Sequence, residues 1–324
     1  MDKVRVGLIG IGGMGGCHYS CYEGIENAEL VAVCDVRGDM AREKTAGKNV
    51  KVYEDLDLML NNEKLDMVDI CTPSYLHADM AVKCLEKGLN VLCEKPMTLN
   101  ISDAERVLKA AEKSGKKFMV AHVVRFMAPY MYLKKVIESK SLGELVNLSL
   151  KRISSIPTWS WQDWMRNEKL SGGVCLDLSV HDLDFVQSVL GMPEDFSAVL
   201  RPIKDNSSFV RSELNYGKFA VSCEGTWYNA DIPFSAEFLA VFDNGYVKSE
   251  GGRFIVKGEE VSLSENKFAP VEGMNISGDD GYSEEIKYFL NCIINDKPVE
   301  YVKPASSAAS VALACDIISQ AEII

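Results

Sequence analysis

Apolar residues in the first 121 positions fall into short unbroken runs separated by stretches with helical spacing. Val4 to Ile9 is the first run. "AELVAVCD" (28–35), a brief "KVYE" (51–54), "LDMVDICT" (65–72), "LNVLCE" (89–94) and "KKFMVAHV" (116–123) follow. Runs that are apolar on both faces suit strands covered on both sides. The intervening segments read as helices: 17–26, 38–47, "DLDLMLNN", 76–87 with Gly88 as its stop, and a stretch capped by Ser102 and closed by Gly115. This alternation predicts a doubly wound parallel α/β sheet.

After position 123 the rhythm changes. A helix over about 128–140 leads into a long strand, "GELVNLSLKRISS" (143–155). A loop with Trp159, Trp161 and Trp164 comes next, then the glycine-led helix "GGVCLDLSVHDLDFVQSVLG" (172–191). From 194 to 263 strand follows strand, with Asn244-Gly245 as a turn signal. Two helices, "SEEIKYFLNCIIN" and "ASSAASVALACDIISQAEII", end the chain. The expected division is residues 1–122 for the parallel-sheet domain. Residues 123–324 would form an α+β domain with a large, mostly antiparallel open sheet.

Charge and cysteine usage narrow the picture. A net charge of −12 over 324 residues opposes broad attraction to nucleic acid or an anionic membrane surface. No apolar run approaches the roughly 20 residues needed to span a bilayer. Met1-Asp2-Lys3 leads straight into a strand without a leader pattern. A cytoplasmic protein is expected. Several of the ten cysteines, such as Cys34, Cys71 and Cys93, sit inside apolar runs and read as reduced, structural thiols. Cys17 and Cys21 have a helical spacing that a metal uses. No second Cys/His cluster joins them in the sequence, so no metal is expected.

Gly10-Ile11-Gly12-Gly13-Met14-Gly15 follows the first strand directly and opens a helix. In that context Gly10 permits a tight turn, Gly12 lets the backbone approach a pyrophosphate, and Gly15 lets the helix pack on the strand. Gly13 and Met14 complete a loop whose free N–H groups suit phosphate. Asp35 ends the second strand, 20 residues beyond Gly15. A carboxylate there accepts from both ribose hydroxyls and repels a 2′-phosphate, favouring NAD over NADP. Arg37, two residues on, softens that preference and leaves NADP possible.

Ligands of an open α/β sheet bind beyond the carboxyl ends of its strands. Thr72-Pro73 and Glu94-Lys95 lie there by the strand assignment. A solvated lysine paired with Glu94 is the plainer account of Lys95. Asp177 and His181 are four apart, so a regular helix sets them on one face, with Val180, Leu183, Val186 and Leu190 packed behind. The plainer account of His181 is a satisfied histidine. Gly172 and Gly173 just before it admit close approach of a ligand or backbone.

The segments "GIGGMG", "CTPSYLHADMAVKCLEKGLNVLCEKPMTLN" and "SGGVCLDLSVHDLDF" resemble the Gfo/Idh/MocA oxidoreductases, and the resemblance covers nearly the whole chain. It implies a Rossmann domain, with Lys95, Asp177 and His181 as the catalytic set. Thr72, Pro73, His77, Glu94 and Lys95 join the glycine loop as cofactor contacts. It implies cleft roles for His122 and Arg125, within "AHVVRFMAPYMYL". Trp161 and Trp164 would stack on a sugar ring, or else form an apolar plug or subunit contact. The family's Lys-Pro bond is often cis. The chain departs from the family where "GGV" lacks a third glycine and where "DLSVHDLD" replaces a usual glycine.

The implied activity is hydride transfer between NAD, or possibly NADP, and a secondary alcohol of a sugar, sugar derivative or cyclitol. His181 would be the general base, Lys95 the stabiliser of alkoxide charge, and Asp177 a holder of a hydroxyl or of the base. A catalytically silent cofactor-binding sensor and an NAD-dependent glycosidase are the alternatives. The resemblance further implies a homodimer or homotetramer joined through the second-domain sheet.

Overall fold

The computed structural model describes residues 3–204, 207–263 and 281–324. Contacts divide the chain into two compact units. Of the described residues, the first holds those up to 122 together with 282–308, and the second holds 123–263, Gly281 and 309–324.

In the first unit, strands β1 (Val4–Ile9), β2 (Ala28–Cys34), β3 (Lys51–Tyr53), β4 (Met67–Ile70), β5 (Asn90–Glu94) and β6 (Phe118–Ala121) form one sheet in the order β3-β2-β1-β4-β5-β6. Every pairing is parallel. All four residues of β4 and of β6 are buried, as unbroken apolar runs require. Helices α1 (Gly13–Tyr22), α2 (Gly38–Lys44), α3 (Leu56–Asn62), α4 (His77–Glu86) and α5 (Ile101–Ser114) connect the strands. Strand order reverses between β1 and β4, which opens a crevice at their carboxyl ends.

Two local expectations need correction. The helix after the glycine loop starts at Gly13, not at 17, because the last residues of the loop are already helical. Ser102 does not cap α5. Asn100 does, its side chain accepting from the Asp103 N–H at 2.8 Å, while Ser102 sits in the first turn and donates to Asn100 Oδ1. Gly115 closes that helix in the left-handed conformation, φ 63°, as expected.

The second unit begins with α6 (Ala128–Ser139), β7 (Leu145–Ser155), α7 (Glu168–Ser171) and α8 (Val180–Leu190). It continues with β8 (Asp195–Lys204), β9 (Ser207–Asn215), β10 (Ala220–Tyr228), β11 (Ser235–Phe242), β12 (Gly245–Glu250), β13 (Arg253–Val256) and β14 (Glu259–Glu260). After α9 (Gly281–Ile294) and α10 (Pro304–Gln320), β15 (Glu322–Ile323) completes a nine-stranded sheet. Its order is β14-β13-β12-β11-β7-β10-β9-β8-β15, mostly antiparallel, with β10 parallel to β7 and β15 parallel to β8. Along β9, Ser208, Val210, Ser212 and Leu214 are buried and their neighbours are not, the period of a sheet with one covered face. From residue 282 onward, α9 counts with the first unit.

Candidate active site

Three glycines shape the loop between β1 and α1. Gly10 has φ 86°, and a Cβ there would lie 2.7 Å from the Cys71 carbonyl oxygen. A Cβ on Gly15 would lie 2.0 Å from the Gly10 carbonyl oxygen, so only glycine lets α1 sit this close to the loop. A Cβ on Gly12 would meet only the end of the Arg37 side chain, at 3.3 Å. The loop is thus closed by backbone on the Gly10 and Gly15 side and bordered only by a movable side chain at Gly12. Gly12 precedes the helix without a side-chain cap, and Gly13 and Met14 form its first turn. Their N–H groups are the donors that a dinucleotide phosphate needs.

Asp35 follows β2 and is buried. Its Oδ2 accepts from the Ile11 N–H at 3.0 Å, which pins the loop to the strand end. Oδ1 accepts from the Arg37 N–H (2.9 Å) and Nε (3.1 Å), and Oδ2 also accepts from Arg37 Nη2 (3.1 Å). Burial pushes the Asp35 carboxyl up, but the bonds from Arg37 and Ile11 outweigh it and hold it below the usual carboxylate value. A carboxylate has about four lone-pair sites, and these four bonds occupy that capacity. Lys44, which the motif reading passes over, donates from Nζ to the Ile11 carbonyl at 3.0 Å and borders the same loop. Its signal was only positional: the end of the helix that follows Asp35.

Lys95 leaves the carboxyl end of β5, half-buried, and the Lys95-Pro96 peptide is cis. Glu94 is buried, and its Oε2 accepts from the Lys95 N–H at 3.0 Å. Its Oε1 lies 3.2 Å from His18 Nε2. His77 is 1% exposed; its Nδ1 lies 2.8 Å from the Pro96 carbonyl and its Nε2 2.9 Å from the Thr72 carbonyl. Burial holds the His77 ring below its usual pKa. Glu94 and His77, expected as cofactor contacts, therefore brace the backbone around Thr72, Lys95 and Pro96 from within the protein. Pro73 caps the short 3₁₀ turn, Ser74–Leu76, that follows β4.

Behind these loops lies a polar cluster absent from the motif reading. His18, on the buried face of α1, sets Nδ1 2.9 Å from Asp69 Oδ2, and Tyr22 donates to that same oxygen at 2.8 Å. Glu285 of α9 lies 3.9 Å from His18 Nε2. The cluster did leave a trace in the sequence: Asp69 and Glu94 are carboxylates inside otherwise apolar strands.

In the second unit, Asp177 lies in a π-helical turn, Cys175–Ser179, and His181 in the first turn of α8. Asp177 is 6% exposed and His181 is half-buried. The spacing of four therefore runs partly through a wider winding than the regular helix assumed. Gly172 and Gly173 have φ 76° and 65°, and a Cβ on Gly172 would lie 2.6 Å from the Leu176 side chain. They end α7 in the left-handed conformation, which the turn itself requires. Arg125, expected to line a cleft, is buried and forks onto Asp184 through Nε (2.8 Å) and Nη2 (2.7 Å). Asp184 also accepts from the Ser310 hydroxyl at 2.7 Å. His122 ends the first unit and is buried. Trp161 opens a 3₁₀ stretch reaching Arg166 in which Gln162 and Asp163 have positive φ; it is exposed, and Trp164 is half-buried.

Residues 4–122 match the model of an oxidoreductase family with an NAD-binding Rossmann fold, and residues 130–264 match the C-terminal domain of the same family. The chain belongs to the Gfo/Idh/MocA family. Among curated family relatives, myo-inositol 2-dehydrogenase of Thermotoga maritima is 30% identical over 58% of this chain and 55% of its own. A 2,7-anhydro-N-acetylneuraminate hydratase of Mediterraneibacter gnavus is 29% identical over 68% of this chain and 61% of its own. The matched stretch thus spans little more than half the length of these relatives. An oxidoreductase of Agrobacterium radiobacter, solved with NAD+, L-tartaric acid and magnesium, superposes with a TM-score of 0.87 over 98% of this chain and 96% of its own. At 18% identity that likeness establishes the fold.

Proposed function

We propose that the protein is an NAD-dependent dehydrogenase acting on a secondary alcohol of a sugar, sugar derivative or cyclitol. The observation that carries this reading is the shared edge of the first sheet. The glycine cradle after β1, Asp35 after β2 and Lys95 after β5 all leave the carboxyl ends of parallel strands. The nicotinamide cofactor, when bound, supplies the hydride acceptor. The N–H groups of Gly12, Gly13 and Met14 hold its phosphates, and Asp35 takes the ribose after Arg37 gives way. Lys95 donates to the reacting oxygen, His181 takes the hydroxyl proton, and Asp177 holds a second hydroxyl. Polyols suit such a set because each hydroxyl needs a polar partner, and the inositol dehydrogenase relative points the same way. Residues 1–122 serve the cofactor in this reading, and a homodimer or homotetramer forms through the nine-stranded sheet.

The test is a screen of inositols, aldoses, sugar acids and 3-keto sugars with NAD(H), following cofactor absorbance. At least one polyol should reduce NAD. The hydratase relative favours one second reading, in which the cofactor is reduced and reoxidised within each turnover. Substrate consumed without accumulating NADH would select it, and a chain that binds cofactor but consumes no compound would be a sensor.

A further inference from the structure

His18 faces carboxylates through both ring nitrogens. Asp69 Oδ2 lies 2.9 Å from Nδ1 and Glu94 Oε1 3.2 Å from Nε2. A carboxylate only accepts, so a neutral ring would set one bare lone pair against a negative oxygen. Three arrangements avoid this: a ring protonated at both nitrogens, a carboxyl that keeps its proton and donates to the bare nitrogen, or a cation held at Nε2. The Glu94 carboxyl, held below its usual value, and the donors on Asp69 favour the charged ring. Asp69 already takes the Tyr22 hydroxyl and faces the Cys71 thiol at 3.5 Å, a donor set that suits a carboxylate beside a charged ring. Burial alone would lower the His18 pKa, but Asp69 and Cys71 together outweigh it and hold it well above the usual value. Glu285 supplies a third carboxyl, fully buried, and among the described residues neither of its oxygens has a hydrogen-bond partner. Burial pushes that carboxyl well up, so it keeps its proton. Among the described residues, Tyr282, Cys17, Cys21, Cys93 and His77 are the other titratable groups around this cluster, and burial keeps the Tyr282 hydroxyl protonated.

The geometry points to His18 as a positioning residue for Lys95. Its charged ring hydrogen-bonds Asp69 of β4 through Nδ1 and lies within ion-pair distance of Glu94 of β5 through Nε2, which makes no hydrogen bond among the described residues, and Glu94 in turn holds the Lys95 N–H at 3.0 Å. His18 also stands three residues after Gly15, on the buried face of the helix that the glycine loop opens. One ring therefore links the loop fitted to phosphate with the loop that carries the lysine. The inference rests on the reading of Lys95 as catalytic, and its tests are chosen to be read without turnover.

The full chain, unaltered and as His18→Asn and His18→Gln, is labelled competitively at its lysines with acetic anhydride, and Lys95 is quantified by mass spectrometry. An asparagine amide reaches toward Asp69 only, and a glutamine amide reaches toward Glu94. Lys95 in His18→Asn should react at least fivefold faster than in the unaltered chain, and His18→Gln should recover part of the difference. Where a polyol substrate has been found, kcat should run in the reverse order, lowest in His18→Asn and partly recovered in His18→Gln, with KM within threefold. Equal labelling in all three proteins, or no recovery with glutamine, overturns the inference. If neither variant folds, ¹⁵N spectra of the unaltered protein decide it. Both His18 nitrogens should carry protons at pH 7, and a single protonated nitrogen or a stoichiometric metal bound through His18 overturns it. A screen that finds no substrate would sink the dehydrogenase reading and leave these measurements standing.

Discussion

Among the described residues of the second unit, the buried arginines Arg125 and Arg152 each meet a carboxylate. Arg125 forks onto Asp184, and Arg152 forks onto Asp182 with both bonds at 3.0 Å. The remaining capacity is used as well: Ser310 donates to Asp184, and Arg152 donates to the Tyr130 hydroxyl. In the first unit a single imidazole faces Asp69, Glu94 and Glu285. Matched pairs lock elements together. A cluster with more acids than cations must hold protons, so its state follows pH and its neighbours. Excess buried acid therefore surrounds the strand end that carries the lysine, while the matched pairs join α8 to Arg125 and to β7.

The largest expected effect is on chemistry. Lys95→Ala should cut turnover by roughly 10²–10⁴-fold, the usual worth of a proton-handling side chain. Cofactor affinity, read by NADH fluorescence, should hold. Retained turnover would remove Lys95 from the mechanism.

Next comes the balanced side of the contrast. Asp184→Ala leaves Arg125 buried without its carboxylate and should cost about 3–5 kcal/mol in urea unfolding. Replacing the pair together, Arg125→Met with Asp184→Leu, should come close to neutral. A mild single variant would show that these pairs are not the locks described.

The pH dependence sharpens the other side. The His18 pKa is raised in the folded chain, so its stabilisation is complete below its usual value of 6.5 and fades as pH rises through the higher folded value. For Glu94, burial raises the carboxyl but His18 overtakes it and lowers it, so its contribution is present above 4.5 and fades as pH falls through the lower folded value. The urea midpoint of the unaltered chain should exceed that of His18→Gln by most between these limits and converge with it at alkaline pH. A constant gap would exclude a charged His18.

The smallest effect concerns the cofactor. Arg37→Ala frees acceptor sites on Asp35 and should tighten NAD by about 1 kcal/mol, roughly fivefold in Kd, while weakening NADP. No change in either Kd would mean that the ribose does not use Asp35.

The parallel sheet was legible because unbroken apolar runs such as "LDMVDICT" report burial on both faces, and the glycine loop because Gly10 and Gly15 answer contacts that a Cβ forbids. The partners of charged residues were not legible. Arg125 and Asp184 are 59 residues apart, and nothing in "AHVVRFMAPYMYL" signals the pairing. His18, Asp69 and Glu285 come from three separate segments, and local periodicity carries no record of such convergence. Gly172 and Gly173 were read as room for a ligand because a glycine shows only the absence of a side chain; the positive φ that explains them is a property of the folded turn.

The π-turn at Cys175–Ser179 has a consequence for how this segment tolerates change. A regular helix advances about 100° per residue, and the extra residue in the turn shifts everything before it by one such step relative to α8. Substitutions within the turn leave that phase intact. Deleting one residue would restore regular winding and swing Asp177 about a quarter of a revolution around the axis relative to His181. In this segment the count of residues, more than their identity, sets the angle between the two side chains.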